Sequence, residues 1–231
     1  LSGIISGTWS SGGCIDAVSN QRSIWRKNME WHYPWQPEKK KQWAHDCYVN
    51  RFGTSLDLNG NDTTNIDIAR VDKNTIPDHN LLVGGFPCQD YSVARGLNGE
   101  KGIYGKKGVL WWSIRDVINA KKPPFVLLEN VDRLLKSPSK QRGRDFGVIL
   151  ACLNDCGYSV EWRVINAAEY GFQQKRRRTY IFAYKDTTNY AEKIRGNSFY
   201  DVIQREGFFA KSFPIDVFEE KKIRHTDLSL D

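Results

Sequence analysis

Cys88 is the residue in this sequence best placed to act as a nucleophile. It sits in Gly84-Gly85-Phe86-Pro87-Cys88-Gln89-Asp90-Tyr91-Ser92, where the apolar run Leu81-Leu82-Val83 stops at two glycines and gives way to polar residues. Pro87 fixes the backbone in front of the sulfur, and Gln89 and Asp90 keep the segment out of a core, which sets Cys88 apart from an ordinary packing cysteine. A positioned thiolate is suited to nucleophilic addition. Glu129 is the second chemical group. It follows the apolar residues Phe125-Val126-Leu127-Leu128, at the mouth of a sheet, where loss of water favours a protonated acid. A capping or turn glutamate is the plainer alternative. The third group is Gln174-Lys175-Arg176-Arg177-Arg178, just ahead of the apolar run Thr179-Tyr180-Ile181-Phe182-Ala183-Tyr184. Side chains two apart on a strand project together, so Arg176 and Arg178 converge on one site while Arg177 points away. The same cluster also fits a simple phosphate-binding run.

Each group therefore needs a strand to place it. Residues 81–83 are too few for a helix and end at glycine, as expected of a parallel strand covered on both faces. In open α/β sheets the chemistry lies just beyond the carboxyl ends of such strands, which is where Cys88 falls. Helical spacing recurs between the runs. It predicts helices from about residue 38 to a C-cap at Gly53, over residues 109–118 until Lys121-Lys122-Pro123-Pro124, and over residues 146–153, ending near Gly157. Cys152 and Cys156, four apart on the last of these, read as packing residues. Residues 159–165 alternate like a strand, and Ile66-Asp67-Ile68 reads as another short one.

The Gly84–Ser92 stretch resembles the nucleophile motif of bacterial-type DNA cytosine-5 methyltransferases. Glu129-Asn130-Val131 and Gln174-Lys175-Arg176-Arg177-Arg178 match two further motifs of that family, in the family's order and each against a strand. The resemblance covers about residues 35–185. It implies an α/β, Rossmann-like S-adenosylmethionine-dependent methyltransferase fold, with a mostly parallel central sheet and helices on both faces. It also implies the roles of individual residues. Cys88 adds to carbon 6 of cytosine and Glu129 shares or donates a proton at ring nitrogen 3. Arg178 holds the cytosine carbonyl, with Arg176 and Gln174 in support. Carbon 5 then receives the methyl of S-adenosylmethionine, in chemistry that uses no metal. On the cofactor side, Trp35 stacks on adenine and Gln36 stands where the family has a ribose-binding acid. Asp67 matches the acceptor for the adenine amino group, and Pro87 completes the set beside the nucleophile. Glu30-Trp31 is a rival placement for the Trp35-Gln36 element. The nearest matches to the family's first Gly-rich cofactor loop are Ser2-Gly3-Ile4-Ile5-Ser6-Gly7 and Ser10-Ser11-Gly12-Gly13. Neither matches cleanly, and a flexible terminus is an equal reading of both.

Bulk properties agree with such a protein. A length of 231 residues allows a full core. The net charge of +7 favours a polyanionic partner. That partner is expected to be double-stranded DNA with its target cytosine flipped out, at a cost of roughly a few kcal/mol. The Gly- and Lys-rich residues 94–107 read either as a loop closing over DNA or as a solvated basic loop. An odd number of cysteines, five, without metal-type pairing, argues against a disulfide framework or a zinc site. No apolar run of membrane-spanning length and no signal peptide are visible, so the expected location is cytoplasmic and DNA-associated, as in a bacterial or phage restriction-modification system.

Residues 1–185 are expected to form the catalytic domain, and residues 186–231 a C-terminal extension standing before a missing target-recognition domain. The family carries recognition, a returning asparagine motif and a closing helix after its arginine motif, and residues 186–231 are too few to hold them. Three readings stay open: a fragment of a longer methyltransferase, a split subunit whose partner brings recognition, or a non-catalytic DNA-binding relic. Methylation of cytosine in RNA is open too, because its chemistry is the same.

Overall fold

Alternation along three apolar segments builds the centre of the molecule. In the computed structural model, which describes residues 3–7, 29–33, 43–54, 56–63, 66–86, 109–138 and 141–215, a six-stranded sheet runs β2-β1-β3-β4-β6-β5. The strands are β1 (Gly3–Gly7), β2 (Met29–Tyr33), β3 (Leu81–Gly85), β4 (Phe125–Val131), β5 (Tyr158–Asn166) and β6 (Arg177–Lys185). β2, β1, β3 and β4 are mutually parallel, whereas β6 lies antiparallel between β4 and β5. The sheet is thus mostly parallel, as expected.

Period-two alternation sends the side chains of β4 and β6 to two separate cores. Val126 and Leu128 of β4 and Ile181 and Ala183 of β6 face one layer. There they meet Trp111, Ile114, Val117 and Ile118 of α2 (Val109–Lys121) and Phe146, Ile149 and Leu153 of α3 (Arg144–Asp155). Phe125, Leu127, Phe182 and Tyr184 face the other. That second layer is closed by residues 189–213, including α4 (Asn189–Ile194) and the short α5 (Phe199–Asp201). α1 (Trp43–Phe52) ends at Gly53, whose φ of +81° and bond from its N–H to the Val49 carbonyl (2.8 Å) make the C-cap. Cys156 caps α3, and its thiol donates to Asn119 Oδ1 (3.1 Å) in a half-buried packing role. Among the described residues no helix is long and apolar enough to cross a membrane.

One expected strand is absent. Ile66-Asp67-Ile68 does not pair. Instead Asp67 opens a 3-10 turn, Ile68–Arg70, with its carboxylate accepting from the Ala69 N–H (3.0 Å). Asp72 opens a second turn, Lys73–Thr75, in the same way through the Asn74 N–H (2.9 Å). Short acidic side chains that bond the backbone two residues on favour turns over ladders, and the two aspartates act alike.

The segment over the second face is held by charge as well as by rings. Phe208 stacks on Phe182 with centroids 3.9 Å apart. Glu161 of β5 accepts from the Tyr190 hydroxyl (2.6 Å) and the Phe208 N–H (2.9 Å). Two residues on, Arg163 donates to the carbonyls of Ile203, Phe209 and Phe213. One strand face therefore anchors a wrap of chain about forty residues further along.

A buried imidazole lies near the opposite end of the sheet, just before β3. His79 is 6% exposed; its Nδ1 bonds the Pro77 carbonyl (2.9 Å), and Nε2 is buried without a protein partner. Burial holds its pKa below the ordinary 6.5, against a smaller upward pull from Pro77 and Asp78. The unfolded chain therefore takes up a proton near pH 6.5 that the folded chain resists. Stability from this site is complete above pH 6.5 and is lost as pH falls through the depressed folded value. Urea midpoints are expected to fall between pH 7.5 and 5.5 in the native chain. The fall should be shallower in His79→Asn, which keeps a donor for Pro77; identical slopes would show that His79 is not responsible.

Candidate active site

Parallel pairing of β3 and β4 brings two of the predicted motifs to one edge of the sheet. Gly84 lies opposite Leu128, and Gly85 opposite Glu129. A Cβ on Gly85 would stand 3.4 Å from both the backbone oxygen and Oε2 of Glu129, in van der Waals contact with the carboxylate. On the other side of β3, Gly7 of β1 lies beside Gly85, so two central strands end without side chains.

β6 enters antiparallel, so its first residues arrive at the end where β4 finishes. Tyr180 pairs with Glu129 and Arg178 with Val131. Glu129, Tyr180 and Arg178 consequently share a face. Arg178 Nε donates to Glu129 Oε1 at 2.8 Å, with side chains 22% and 28% exposed. Arg176 Nη2 lies 3.9 Å from the same oxygen. Arg177 instead turns to Asp132, 3.4 Å away. The convergence expected from residue spacing is thus observed, and it closes on Glu129. The Glu129 side chain is over a quarter exposed and paired with guanidinium, whereas its apolar run suggested a group stripped of water. Strand β4 continues through Glu129 to Val131, so Glu129 lies on the strand opposite Tyr180 and does not follow its end.

Asn130 points to the opposite face and does a different job. It is 2% exposed; its Nδ2 donates to the Phe86 carbonyl (3.3 Å) and its Oδ1 accepts from the Val131 N–H (2.8 Å). Phe86 is packed at 5.9 Å from the buried Trp111 ring. The backbone two residues ahead of Cys88 is therefore tied to the residue after Glu129. The loop before β6 is tied too: the Ala167 N–H donates to the Arg176 carbonyl (3.0 Å), and Gly171, at φ +85°, closes the intervening 3-10 turn, Ala167–Tyr170. Gln174 and Lys175 are exposed on this loop.

Asp67 is half-buried at the head of its turn, which packs against α2. Cys88, Pro87, Trp35 and Gln36 lie outside the described residues, as do the Gly-rich candidate at residues 10–13 and the basic residues 94–107. The other Gly-rich candidate, Ser2–Gly7, contains β1, which lies between β2 and β3 in the sheet. β2 ends at Tyr33, so Glu30 and Trp31 belong to the strand itself and Trp35-Gln36 follows its end. Tyr180 escaped the reading of the sequence. Burial, and then the neighbouring Glu129, push its phenol up from 10, which keeps it neutral beside the carboxylate. Its period-two relation to Arg178 was the available signal.

Residues 27–227 match the family model for C-5 cytosine-specific DNA methylase. The chain belongs to that family. Within this methylase family it is 49% identical over 207 residues to the type II methyltransferase M.Sau3AI of Staphylococcus aureus, covering 88% of this chain and 49% of that protein. It is 40% identical over 121 residues to M.NgoBI of Neisseria gonorrhoeae, covering 52% of this chain and 36% of that protein. The chain thus spans about half, or less, of the curated relatives it matches. Among solved structures, the S. pombe Dnmt2 methyltransferase superposes with a TM-score of 0.59 at 16% identity, over 89% of this chain and 56% of that one. The Entamoeba histolytica methyltransferase EhMeth gives 0.53 at 15%, over 88% and 65%. At that identity the likeness is one of fold.

Proposed function

We propose that this chain is the catalytic portion of a DNA cytosine-5 methyltransferase, transferring a methyl group from S-adenosylmethionine to carbon 5 of a cytosine flipped out of duplex DNA. The convergence of Arg178 on Glu129, one residue from the Asn130 that holds Phe86 ahead of Cys88, carries this reading. Cytosine carbon 5 is a poor nucleophile until something adds to carbon 6. The Cys88 thiolate forms that carbon–sulfur bond. Glu129 shares or donates a proton at ring nitrogen 3, so that negative charge does not build on the ring. Arg178 orients Glu129, and its planar fork of five donors lets it hold a base carbonyl as well. Carbon 5 then takes the methyl; loss of its proton expels Cys88.

The residues present fit the methyl donor. Asp67 offers carboxylate oxygens for an adenine amino group, and one backbone bond does not exhaust its acceptor sites. The paired strand ends at Gly7 and Gly85 admit close approach of a ligand to the backbone. Trp35, Gln36 and Pro87 complete the proposed set. When bound, S-adenosylmethionine supplies an electrophilic methyl on a cationic sulfur.

We assign sequence recognition to a partner element beyond these residues, whether in the same polypeptide or in a second subunit, consistent with the chain's 49% span of M.Sau3AI. Residues 189–213 close one face of the catalytic sheet, so we count them with the catalytic unit. The test is nucleoside mass spectrometry after incubation with methyl-labelled S-adenosylmethionine. The chain is used alone and with the portion of M.Sau3AI that it does not cover. 5-Methylcytosine in duplex DNA, increased by the added portion, is expected. Label confined to RNA, or no transfer under either condition, contradicts the assignment.

A further inference from the structure

Lys73 is a cation with no place in the chemistry above, yet its amine is turned inward. Nζ donates to the carbonyls of Ile68 (2.6 Å) and Val71 (2.7 Å). These are the first residue of the Ile68–Arg70 turn and the residue that caps it. The turn's backbone is also fastened by the Asp67 carboxylate accepting from the Ala69 N–H (3.0 Å), by the Arg70 N–H donating to the Asp67 carbonyl (2.8 Å) and by a longer bond from the Val71 N–H to the Ile68 carbonyl (3.4 Å). A lysine on a surface turn ordinarily keeps its ammonium in water and buries only its stem. Here the ammonium gives up water for two carbonyls, and desolvation lowers its pKa against the opposing pull of Asp116, Asp67 and Asp72. Ile68 itself is 8% exposed and part of the main core. One side of the turn is therefore fixed by packing and the other by Lys73.

We propose that Lys73 is a positioning residue for the adenine end of the methyl donor: by holding the Ile68 and Val71 carbonyls it sets where the Asp67 carboxylate stands. The proposal rests on reading Asp67 as the acceptor for the adenine amino group. A site built to hydrogen-bond a particular group rejects analogues lacking it, provided the acceptor is held rigidly. Loss of Lys73 therefore changes discrimination at the purine 6-position, which a general loss of stability would not do.

The experiment is calorimetric titration of the 231-residue chain with S-adenosylhomocysteine and with S-inosylhomocysteine, which carries oxygen in place of the adenine amino group. The native chain is expected to favour the adenosyl ligand by about tenfold or more. Lys73→Met is expected to lose most of that preference, weakening the adenosyl ligand about tenfold and the inosyl ligand less than about twofold. Lys73→Arg, which keeps donors for both carbonyls, is expected to restore it. Asp67→Ala, which removes the acceptor, separates the two ideas. If Asp67→Ala loses the preference while Lys73→Met keeps it, the Lys73 proposal is overturned and the Asp67 reading stands. If Asp67→Ala keeps the preference, or the native chain shows none, the Asp67 reading fails and the proposal with it. An equal loss for both ligands in Lys73→Met makes Lys73 a mere strut and also overturns it. Should Lys73→Met not fold, Lys73→Gln, whose neutral amide is shorter than the lysine side chain, decides by the same criterion against Lys73→Arg.

Discussion

Glu129→Gln is expected to slow methyl transfer by about 10²- to 10⁴-fold, the range for losing a positioned acid or base, while DNA binding stays within about twofold. The substitution is nearly isosteric. Glutamine's Oε1 can still accept from Arg178 Nε, now 2.8 Å from the carboxylate. The backbone pairing of residue 129 with Gly85 is unaffected, so the sheet mouth keeps its shape. What disappears is a group that can give or share a proton at ring nitrogen 3. Single-turnover rates with saturating cofactor read that loss directly. A loss below about tenfold would mean that Glu129 only orients Arg178, not the base. Arg178→Lys is the companion variant, because an ammonium cannot span the carboxylate and a base carbonyl as a planar fork does.

Arg163→Ala is expected to lower folding stability by about 3 kcal/mol, since it strands buried carbonyl groups that a charged donor had satisfied. That guanidinium donates to the carbonyls of Ile203, Phe209 and Phe213, of which Phe209 keeps a second donor in the Phe213 N–H (2.9 Å), and Glu161 loses its neighbouring cation. Melting should fall by roughly 6–12 °C for a chain of this size. Proteolysis should begin within residues 199–213. Gly207→Ala perturbs the same wrap independently: a Cβ there would stand 2.2 Å from the Val202 oxygen and 2.5 Å from Glu161 Oε2. If Arg163→Ala melts within about 2 °C of the native chain, residues 199–213 are not held by this network.

Much of the sheet was legible because its strands contain apolar or alternating runs: β3 stops at two glycines, β4 follows Pro123-Pro124, β5 follows Gly157, and the run in β6 follows the arginine cluster. The arginine spacing foretold the convergence of Arg176 and Arg178. β1 was not legible. Gly3-Ile4-Ile5-Ser6-Gly7 is made largely of small residues that equally suit a loop, and only pairing with β2 and β3 on both sides makes it a strand. Asp67 was placed in a strand because Ile66 and Ile68 alternate around it. The local bond from its side chain to the Ala69 N–H won instead. The docking of residues 189–213 on the second face was not legible, because its anchors, Glu161 and Arg163, meet partners about forty to fifty residues away. Such pairings leave no local pattern.

The central claim is that Cys88 adds to cytosine under the guidance of Glu129 and Arg178. Duplex DNA carrying 5-fluorocytosine tests it most directly, because fluorine cannot leave carbon 5 as a proton does and the adduct persists. The chain is incubated with this DNA and S-adenosylmethionine, with and without the complementary portion of M.Sau3AI, beside Cys88→Ala. A denaturation-resistant protein–DNA complex that is absent from Cys88→Ala is the predicted result. DNA bound equally by both proteins, with no such complex under either condition, would contradict covalent catalysis by this chain and leave it a DNA-binding module.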